Sequence, residues 1–357
     1  MIVIVFLGAL LLLYGLWSFT IKFGLKGLNC TRAFSRLAVF EGEEAELVEV
    51  VRNEKAFVIP WLLVESRISP HLRLGKQDNL FVSGEMHYCS QFTLLPYQQI
   101  RRRHRVRFLH RGAYDLGNAS LTAGDLLGFF QFQRTQELNA PVLVYPRLLD
   151  IEELPIPMSR MLGELTRRQQ LLQDPFLVRG IRPYQPGDPV RDIHWPATAR
   201  TGDVQVRIHD YSARTKLLVV LNGQRSEQQW HANMSDEDAE VIEQGITLAA
   251  SICVRAIRDG LAVGLVANMP LEGAQSNTFY LPEDGTAQEE TLLAAFARMK
   301  VLRTQGFSAM LEDLTTYSGL DILVLSSYDS GSIQDSIRQL RHAGNQVVFQ
   351  LFDGGGV

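Results

Sequence analysis

The stretch RGIRPYQPGDPVRDIHWPATARTGDVQVRIHDY, residues 179–211, separates two parts of the chain that differ in pattern. It holds five arginines and four aspartates, with one tryptophan and two tyrosines among them. Closely spaced prolines and glycines exclude one long helix and predict a turn at residues 185–188. A short helical turn at residues 191–195 and a strand at residues 203–209 should follow. Arginines so close to aspartates favour bidentate ion pairs, because the guanidinium fork matches a carboxylate.

This spacing is similar to the signature of a bacterial family catalogued as domain of unknown function 58. The similarity also covers residues 111–114 and 124–129, which come before the signature. Pro196 stands where a basic residue is more usual in the family, which counts against a charged role there. The signature residues expected to serve structure or docking are Arg182, Tyr184, Gly187, Asp188, Arg191, Trp195, Arg200 and Arg207.

Residues 2–21 are almost wholly apolar and long enough to cross a hydrocarbon core of about 30 Å. A secretory signal peptide is the rival interpretation, but no basic segment precedes the run and no Ala-x-Ala site follows it. We therefore expect a transmembrane anchor at residues 1–21 that contacts the lipid bilayer. Positive charges follow the span at Lys22, Lys26, Arg32 and Arg36. They predict a bacterial inner-membrane protein with its soluble domains in the cytoplasm.

Composition narrows the class of protein further. A length of 357 residues indicates two domains plus additional segments. The formal net charge of -4 argues against a general nucleic-acid binder, so no nucleic-acid partner is expected. Cys30, Cys89 and Cys253 lie far apart without a CxxC pair, which fits a reducing compartment.

Short alternating segments between residues 36 and 146 predict an antiparallel β-sandwich. One of them carries the densest basic run, residues 101–107. Alternation places Arg101, Arg103, Arg105 and Arg107 on one face, as an exposed face requires. A solvated, charged strand edge is one interpretation of this run, and a patch for anionic lipid or nucleic acid is the other.

Residues 147–178 predict a connector with an amphipathic helix, because Met158, Met161, Leu162 and Leu165 have helical spacing. From residue 212 to residue 357, short apolar runs alternate with helical segments. The runs are residues 217–221, 262–267, 322–325 and 347–351. Three of the helical segments have capping-box-like starts at Ser235, Thr286 and Ser332. This order predicts a doubly wound α/β domain, with an antiparallel edge strand at residues 278–281.

The predicted α/β domain resembles a von Willebrand factor A domain, which often accompanies the family signature. The resemblance implies a divalent ion held by Asp-x-Ser-x-Ser after the first strand. Here Asn222, Gln224 and Ser226 occupy those positions, so the metal site is degenerate. The loss of the carboxylate and the positive charge of Arg225 disfavour a hard cation. We therefore expect no metal and no cofactor.

Two classes of function remain open. Asp188, Asp192, His194 and His209 could form the site of a metal-dependent hydrolase acting at the cell envelope. Against this, the sequence contains no GxSxG, Walker A, GxGxxG or HExxH motif. The family resemblance implies the second class, because its members tend to be encoded beside MoxR-type AAA+ ATPases and to be regarded as their accessory proteins. We therefore expect a non-catalytic adaptor or scaffold for such an ATPase.

The signature itself also has two interpretations. In one, its arginines and aspartates form an ionic lattice that locks the fold, and Trp195 fills a core. In the other, the same residues form a surface for a partner protein. The two interpretations do not exclude each other, so the sequence leaves the docking surface open.

Overall fold

The structure, a computed structural model, describes most of the chain. The described residues are 26–75, 80–83, 87–124, 131–150, 152–171, 173–185, 187–211, 215–229 and 234–352, together with Gly8 and Gly15. The chain divides into two units, Met1–Arg147 and Leu148–Val357. Over the described residues its architecture is mixed α/β, with nineteen strands and six α-helices.

The first unit is built from strands. In chain order they are β1 (Leu28–Phe34), β2 (Ala38–Phe40), β3 (Glu44–Asn53), β4 (Ile59–Arg67), β5 (Leu72–Leu74), β6 (Leu80–Ser83), β7 (His87–Leu94), β8 (Gln99–Phe108), β9 (Gly112–Asp115), β10 (Asn118–Gly124), β11 (Gln131–Glu137) and β12 (Pro141–Tyr145). Two sheets are antiparallel, with the orders β1-β3-β8-β5 and β11-β10-β4-β7-β6. A third sheet has the order β2-β12-β9, in which β2 and β12 run parallel. The described residues thus form three sheets where the predicted sandwich has two.

Alternation along the strands creates the core of this unit, because successive side chains point to opposite faces of a sheet. In β8 the four arginines at positions 101, 103, 105 and 107 are exposed, whereas His104, Val106 and Phe108 are buried. The predicted exposed face of the basic run is confirmed. Two apolar clusters fill the interior, one around Leu47 and Phe108 and the other around Phe92 and Leu121.

Charged side chains are buried within the first unit and satisfy one another. Arg32 donates to the Tyr88 hydroxyl at 3.1 Å, and that hydroxyl donates to the Glu49 carboxylate. His104 Nε2 lies 3.2 Å from the second Glu49 oxygen, and both side chains are almost fully buried. Burial alone would raise the pKa of Glu49. Hydrogen bonds with His104 and Tyr88, together with the charge of Arg32, outweigh burial and hold that pKa below its ordinary value.

The second unit combines helices and strands. In chain order its elements are α1 (Ile156–Leu171), β13 (Gln173–Pro183), a 3-10 turn (Val190–Asp192), α2 (Trp195–Thr201), β14 (Gln205–Tyr211), β15 (Lys216–Leu221), α3 (Asp236–Arg258), β16 (Ala262–Ala267), β17 (Thr278–Glu283), α4 (Thr286–Arg298), α5 (Phe307–Asp313), a 3-10 turn (Leu314–Thr316), β18 (Asp321–Ser326), α6 (Gly331–His342) and β19 (Gln346–Leu351). The main sheet has the order β17-β16-β15-β18-β19, and only β17 runs antiparallel to its neighbour.

Helices cover both faces of this sheet. Leu217, Val219 and Leu221 of β15 pack in one cluster with α1, α3 and α4. The intervening Leu218 and Val220 pack in a second cluster with α5 and α6. A strand covered on both faces has no polar side, which explains the unbroken apolar runs in the sequence. The connector helix α1 belongs to this unit, because its apolar residues lie in the first cluster.

The fold prediction is corrected at its N-terminal element. Among the described residues, no helix is both long enough and apolar enough to cross a membrane. The transmembrane helix predicted at residues 2–21 is therefore not supported, and of that segment only Gly8 and Gly15 are among the described residues. The corrected architecture is the mixed α/β arrangement given above.

Two predicted helix starts also differ from the structure. The capping residue of α6 is Ser330 rather than Ser332. Helix α4 has Gly285 as its N-cap, so no side chain caps it, and the predicted cap Thr286 is its first helical residue. Glu289 pairs with Arg258 at 2.7 Å. The start predicted at Ser235 is confirmed, since its hydroxyl accepts from the Asp238 amide at 3.2 Å.

We predict that Glu49→Gln lowers the free energy of unfolding at pH 7 by about 3–5 kcal/mol, because Arg32 would keep a buried charge without its carboxylate. Glu46→Gln is the control: its pair with Arg103 is exposed, so the expected loss is at most about 1 kcal/mol. Urea denaturation of both variants measures the difference.

The stability difference between the wild type and Glu49→Gln should also depend on pH. The pKa of Glu49 is lowered in the folded state, so its contribution is complete above the unfolded pKa and disappears as the pH falls through the folded pKa. Wild-type stability should therefore fall more steeply below about pH 4.5 than that of Glu49→Gln. Parallel pH profiles of the two proteins would contradict this assignment.

Candidate functional site

The signature forms an excursion between two paired strands. Strands β13 and β14 are antiparallel, with Arg182 opposite Val206. Residues 184–204, which we call the signature loop, leave β13 and return to β14. Two backbone hydrogen bonds close its base: the Tyr184 amide donates to Val204 at 2.9 Å, and the His194 amide donates to Gln205 at 2.7 Å. The turn predicted at residues 185–188 is present, since the Asp188 amide donates to the Gln185 oxygen at 3.1 Å. The helical turn predicted at residues 191–195 is instead divided between the 3-10 turn Val190–Asp192 and α2, which begins at Trp195. The strand predicted at residues 203–209 lies at Gln205–Tyr211.

One ion pair fixes the first turn of the loop. Arg182 donates from both terminal nitrogens to Asp188, at 2.7 and 2.6 Å. The Gln185 amide donates to the same carboxylate at 2.8 Å. Gly187 has a φ of 107°, a backbone conformation that favours glycine at this turn. The hydrogen bonds from Arg182 and then from Gln185 hold the pKa of Asp188 below its ordinary value.

Helix α2 is capped at both ends. His194 is its N-cap, and its Nδ1 accepts a hydrogen bond from the Ala197 amide at 3.0 Å. Gly202 ends the helix in the left-handed region, with a φ of 80°. Thr198 attaches the helix to β14, because its hydroxyl accepts from the Gln205 amide at 3.0 Å. These contacts hold a helix of seven residues that is too short to be stable alone.

The loop exposes its aromatic and aliphatic side chains. Trp195 is 64% exposed and Val190 is 71% exposed, so Trp195 does not fill a core. Arg200 is also exposed, and Arg191 reaches Asp192 only at 3.8 Å with 84% of its side chain exposed. Of the two ion pairs described in this stretch, Arg182–Asp188 is the tighter. Half-buried Arg207 lies in β14.

The residues of the alternative hydrolytic site are already engaged in structure. Asp188 accepts from Arg182, and His194 caps α2. Asp192 is half-buried beside Arg191, and the side chain of His209 lies outside the described residues. Within the part of the chain that the structure describes, no group of three or more His, Cys, Asp or Glu side chains is placed to hold a metal ion.

The degenerate metal position lies at the carboxyl end of β15. Asn222 is fully buried, and its amide nitrogen donates to Ser326 at 2.9 Å. The Asn222 side-chain oxygen accepts from the Gln224 backbone amide at 3.0 Å. Gln224 in turn accepts from the Phe307 amide at 2.7 Å. Ser226, the third predicted position, is exposed, and it contributes only its backbone oxygen, which accepts from the Gln224 side chain at 3.5 Å.

Sequence reasoning missed Asn268, which completes this cluster. It directly follows β16 and is fully buried. Its side chain accepts from the Gly223 amide at 2.6 Å and donates to Gln224 at 3.3 Å. The signal was available, because the carboxyl ends of neighbouring parallel strands meet at one edge of a sheet. We call Asn222, Gln224, Asn268 and Ser326 the amide cluster. It is composed of neutral groups that satisfy one another, so it offers no free carboxylate to a cation.

Comparison with known families supports the predicted relationship. Residues 180–324 match the model of the family described as "Protein of unknown function DUF58". The match covers the signature loop and the first strands of the α/β sheet, and it supports assignment to this family. A search of curated proteins finds no match.

Solved structures offer only distant similarities. A CARDB domain from Pyrococcus furiosus, solved in complex with di-metal ions, is 15% identical over 33% of this chain and 94% of that one, with a TM-score of 0.22. A non-cellulosomal cohesin from the archaeon Archaeoglobus fulgidus is 10% identical over 32% of this chain and 91% of that one, with a TM-score of 0.24. A fragment of Escherichia coli alpha-2-macroglobulin is 12% identical over 39% of this chain and 25% of that one, with a TM-score of 0.26. At these scores the similarities carry no argument about this chain.

We predict that the Asp188 carboxyl group titrates below its ordinary pKa in the wild type and moves up towards it in Arg182→Ala, because the hydrogen bonds from Arg182 are lost. NMR of the side-chain carboxyl carbon measures the midpoint. Arg191→Ala is the control and should leave the midpoint unchanged. An unchanged midpoint in Arg182→Ala would show that the pair does not form in solution.

We predict that Asn222→Ala lowers the free energy of unfolding by about 1–3 kcal/mol, because buried partners lose their hydrogen bonds. Ser226→Ala is the matched control, since Ser226 is exposed and the expected change is within about 0.5 kcal/mol.

Titration calorimetry of the wild type with Mg²⁺ should give no stoichiometric micromolar site at this edge of the sheet. Such a site, lost in both variants, would refute the prediction.

Proposed function

We propose that this chain is a non-catalytic adaptor that docks on another protein through its signature loop, and that the partner is a MoxR-type AAA+ ATPase. The observation that carries the proposal is the exposure of Trp195 on a helix that is capped at both ends. A large aromatic side chain that is held in place and left open to solvent is typical of a protein–protein contact. The choice of ATPase comes from the family resemblance.

The second unit serves this proposal as a scaffold. Its sheet order, with one antiparallel edge strand and helices on both faces, supports a von Willebrand factor A-like arrangement. In such an arrangement the metal would lie at the edge of the sheet formed by the carboxyl ends of its parallel strands. The amide cluster occupies that edge here, so we propose that this domain works without an ion. The signature loop, which leads into the start of β14, then becomes the functional surface.

The alternative metal-dependent hydrolase has less support. Its proposed ligands at positions 188 and 194 already hold the loop together through hydrogen bonds. A metal at Asp188 and His194 would have to compete with the hydrogen bonds from Arg182 and from the Ala197 amide. No observation in the described residues favours that exchange.

We propose that the adaptor lies in the cytoplasm, because its cysteines are unpaired. Cys30, Cys89 and Cys253 are all free thiols, and burial raises the pKa of the Cys30 thiol to about 12. Unpaired cysteines persist in a reducing compartment. A reporter that is active only in the cytoplasm, fused after Val357, tests this location, and activity confined to the periplasm would overturn it.

We predict that the full-length chain forms a saturable complex with the purified MoxR-type ATPase from the same cell, measured by biolayer interferometry with and without ATP. The chain alone should show no hydrolytic turnover when Zn²⁺, Mn²⁺ or Mg²⁺ is added. An unrelated AAA+ ATPase serves as the control for nonspecific binding. Metal-dependent turnover without ATPase binding would replace the adaptor by the hydrolase.

A further inference from the structure

We propose that the signature loop recognises an acidic protein surface, with Trp195 seated in an apolar pocket and Arg191 and Arg200 meeting carboxylates around it. This proposal rests on the proposed function and deepens it, because it states the chemistry of the partner's docking site. It also names the residues of this chain that carry the contact.

The charge of the exposed face is the first argument. Helix α2 contains Arg200 and no acidic residue, and Arg191 lies just before it with most of its side chain exposed. Among the nearby carboxylates, Asp188 is bound by Arg182 and 21% of the Asp192 side chain is exposed, whereas Asp203, just beyond the C-cap Gly202, is exposed. Within the 3-10 turn and α2 themselves, the charged side chains most open to solvent are the two arginines. A surface of this sign attracts a negative partner.

The kind of side chain is the second argument. Tryptophan and arginine dominate the residues whose truncation most weakens protein complexes. Val190 and Trp195 supply apolar area here, and the arginines lie beside them in the chain. The guanidinium group can bind a carboxylate with two parallel hydrogen bonds, which fixes orientation as well as affinity.

Preorganisation is the third argument. Binding costs less when the contact residues are already ordered. The Arg182–Asp188 pair fixes the turn before the contact residues, and His194 and Gly202 fix the ends of their helix. These contacts order the segment on both sides of Trp195, which stays 64% exposed.

Other occupants fit this surface less well. A second copy of the chain docked through the same face would bring two sets of arginines together, and like charges at an interface cost free energy. An anionic membrane would satisfy the arginines, but it has no pocket that selects one indole side chain. The experiment below separates these occupants.

The test compares variants of the full-length chain in binding to the purified ATPase. Trp195→Ala should weaken binding about 30-fold, as expected for a central contact residue. The double variant Arg191→Glu and Arg200→Glu should slow association about 10-fold at low salt and remove most of its salt dependence. Leu37→Ala and Arg101→Glu are matched controls, since both residues are exposed in the first unit, and both variants should bind like the wild type.

Folding is checked in the same proteins. Each variant should melt like the wild type, because the substituted side chains are exposed. If a variant melts early, the conservative changes Trp195→Phe and Arg191→Lys replace it. The first should keep part of the affinity through its ring, and the second should keep the salt dependence through its charge. Affinity that follows thermal stability instead of side-chain chemistry would overturn the proposal.

The remaining outcomes distinguish the two proposals. If the wild type does not bind the ATPase, the proposed function is wrong and this inference falls with it. If the wild type binds and every variant binds equally well, only this inference is overturned. The inference is also overturned if the Trp195 and arginine variants lose binding to vesicles containing phosphatidylserine, or self-association in solution, while ATPase binding stays unchanged.

Discussion

The second unit depends on the burial of β15 from both sides. Its alternate side chains enter two different apolar clusters, so the strand joins the helices of one face to those of the other. Strand β14, to which the signature loop returns, ends shortly before β15 begins. A polar side chain at position 219 would be buried away from water. Its polar group would have no hydrogen-bond partner, and its desolvation would cost free energy of folding.

The parts of the fold that the sequence predicts well are those governed by local pattern. The apolar runs at residues 217–221 and 262–267 correspond to β15 and β16, and the edge strand predicted at residues 278–281 is part of β17. The exposure of Trp195 could not be predicted, because the sequence alone does not show which other residues pack against a tryptophan. The membrane helix was predicted from the length and apolar character of residues 2–21, and the described helices do not support it. The capping-box pattern at Thr286 was misleading, because the N-cap of α4 is Gly285, one residue earlier.

Buried charge in the first unit was predictable and was overlooked. Glu49 falls on the same alternation as Ala45, Leu47 and Val51, all of which are buried. His104 shares a face with Val106 and Phe108 in the same way. An ionisable residue that lies on the same face of a strand as buried apolar residues should itself be buried. It then requires a hydrogen-bonding or charged partner from another strand. Strand β1 supplies Arg32 from its own buried alternation. The pairing itself depends on sheet order, which no single segment encodes.

The amide cluster has a consequence for how the protein responds to its surroundings. An edge held together by a bound ion gains stability in proportion to the logarithm of the free ion concentration, by mass action. Hydrogen bonds among Asn222, Gln224, Asn268 and Ser326 have no such dependence. The free energy that these hydrogen bonds contribute is therefore the same when cellular magnesium rises or falls. Loops held by such bonds keep their arrangement by contacts that do not sense the ionic state of the cell.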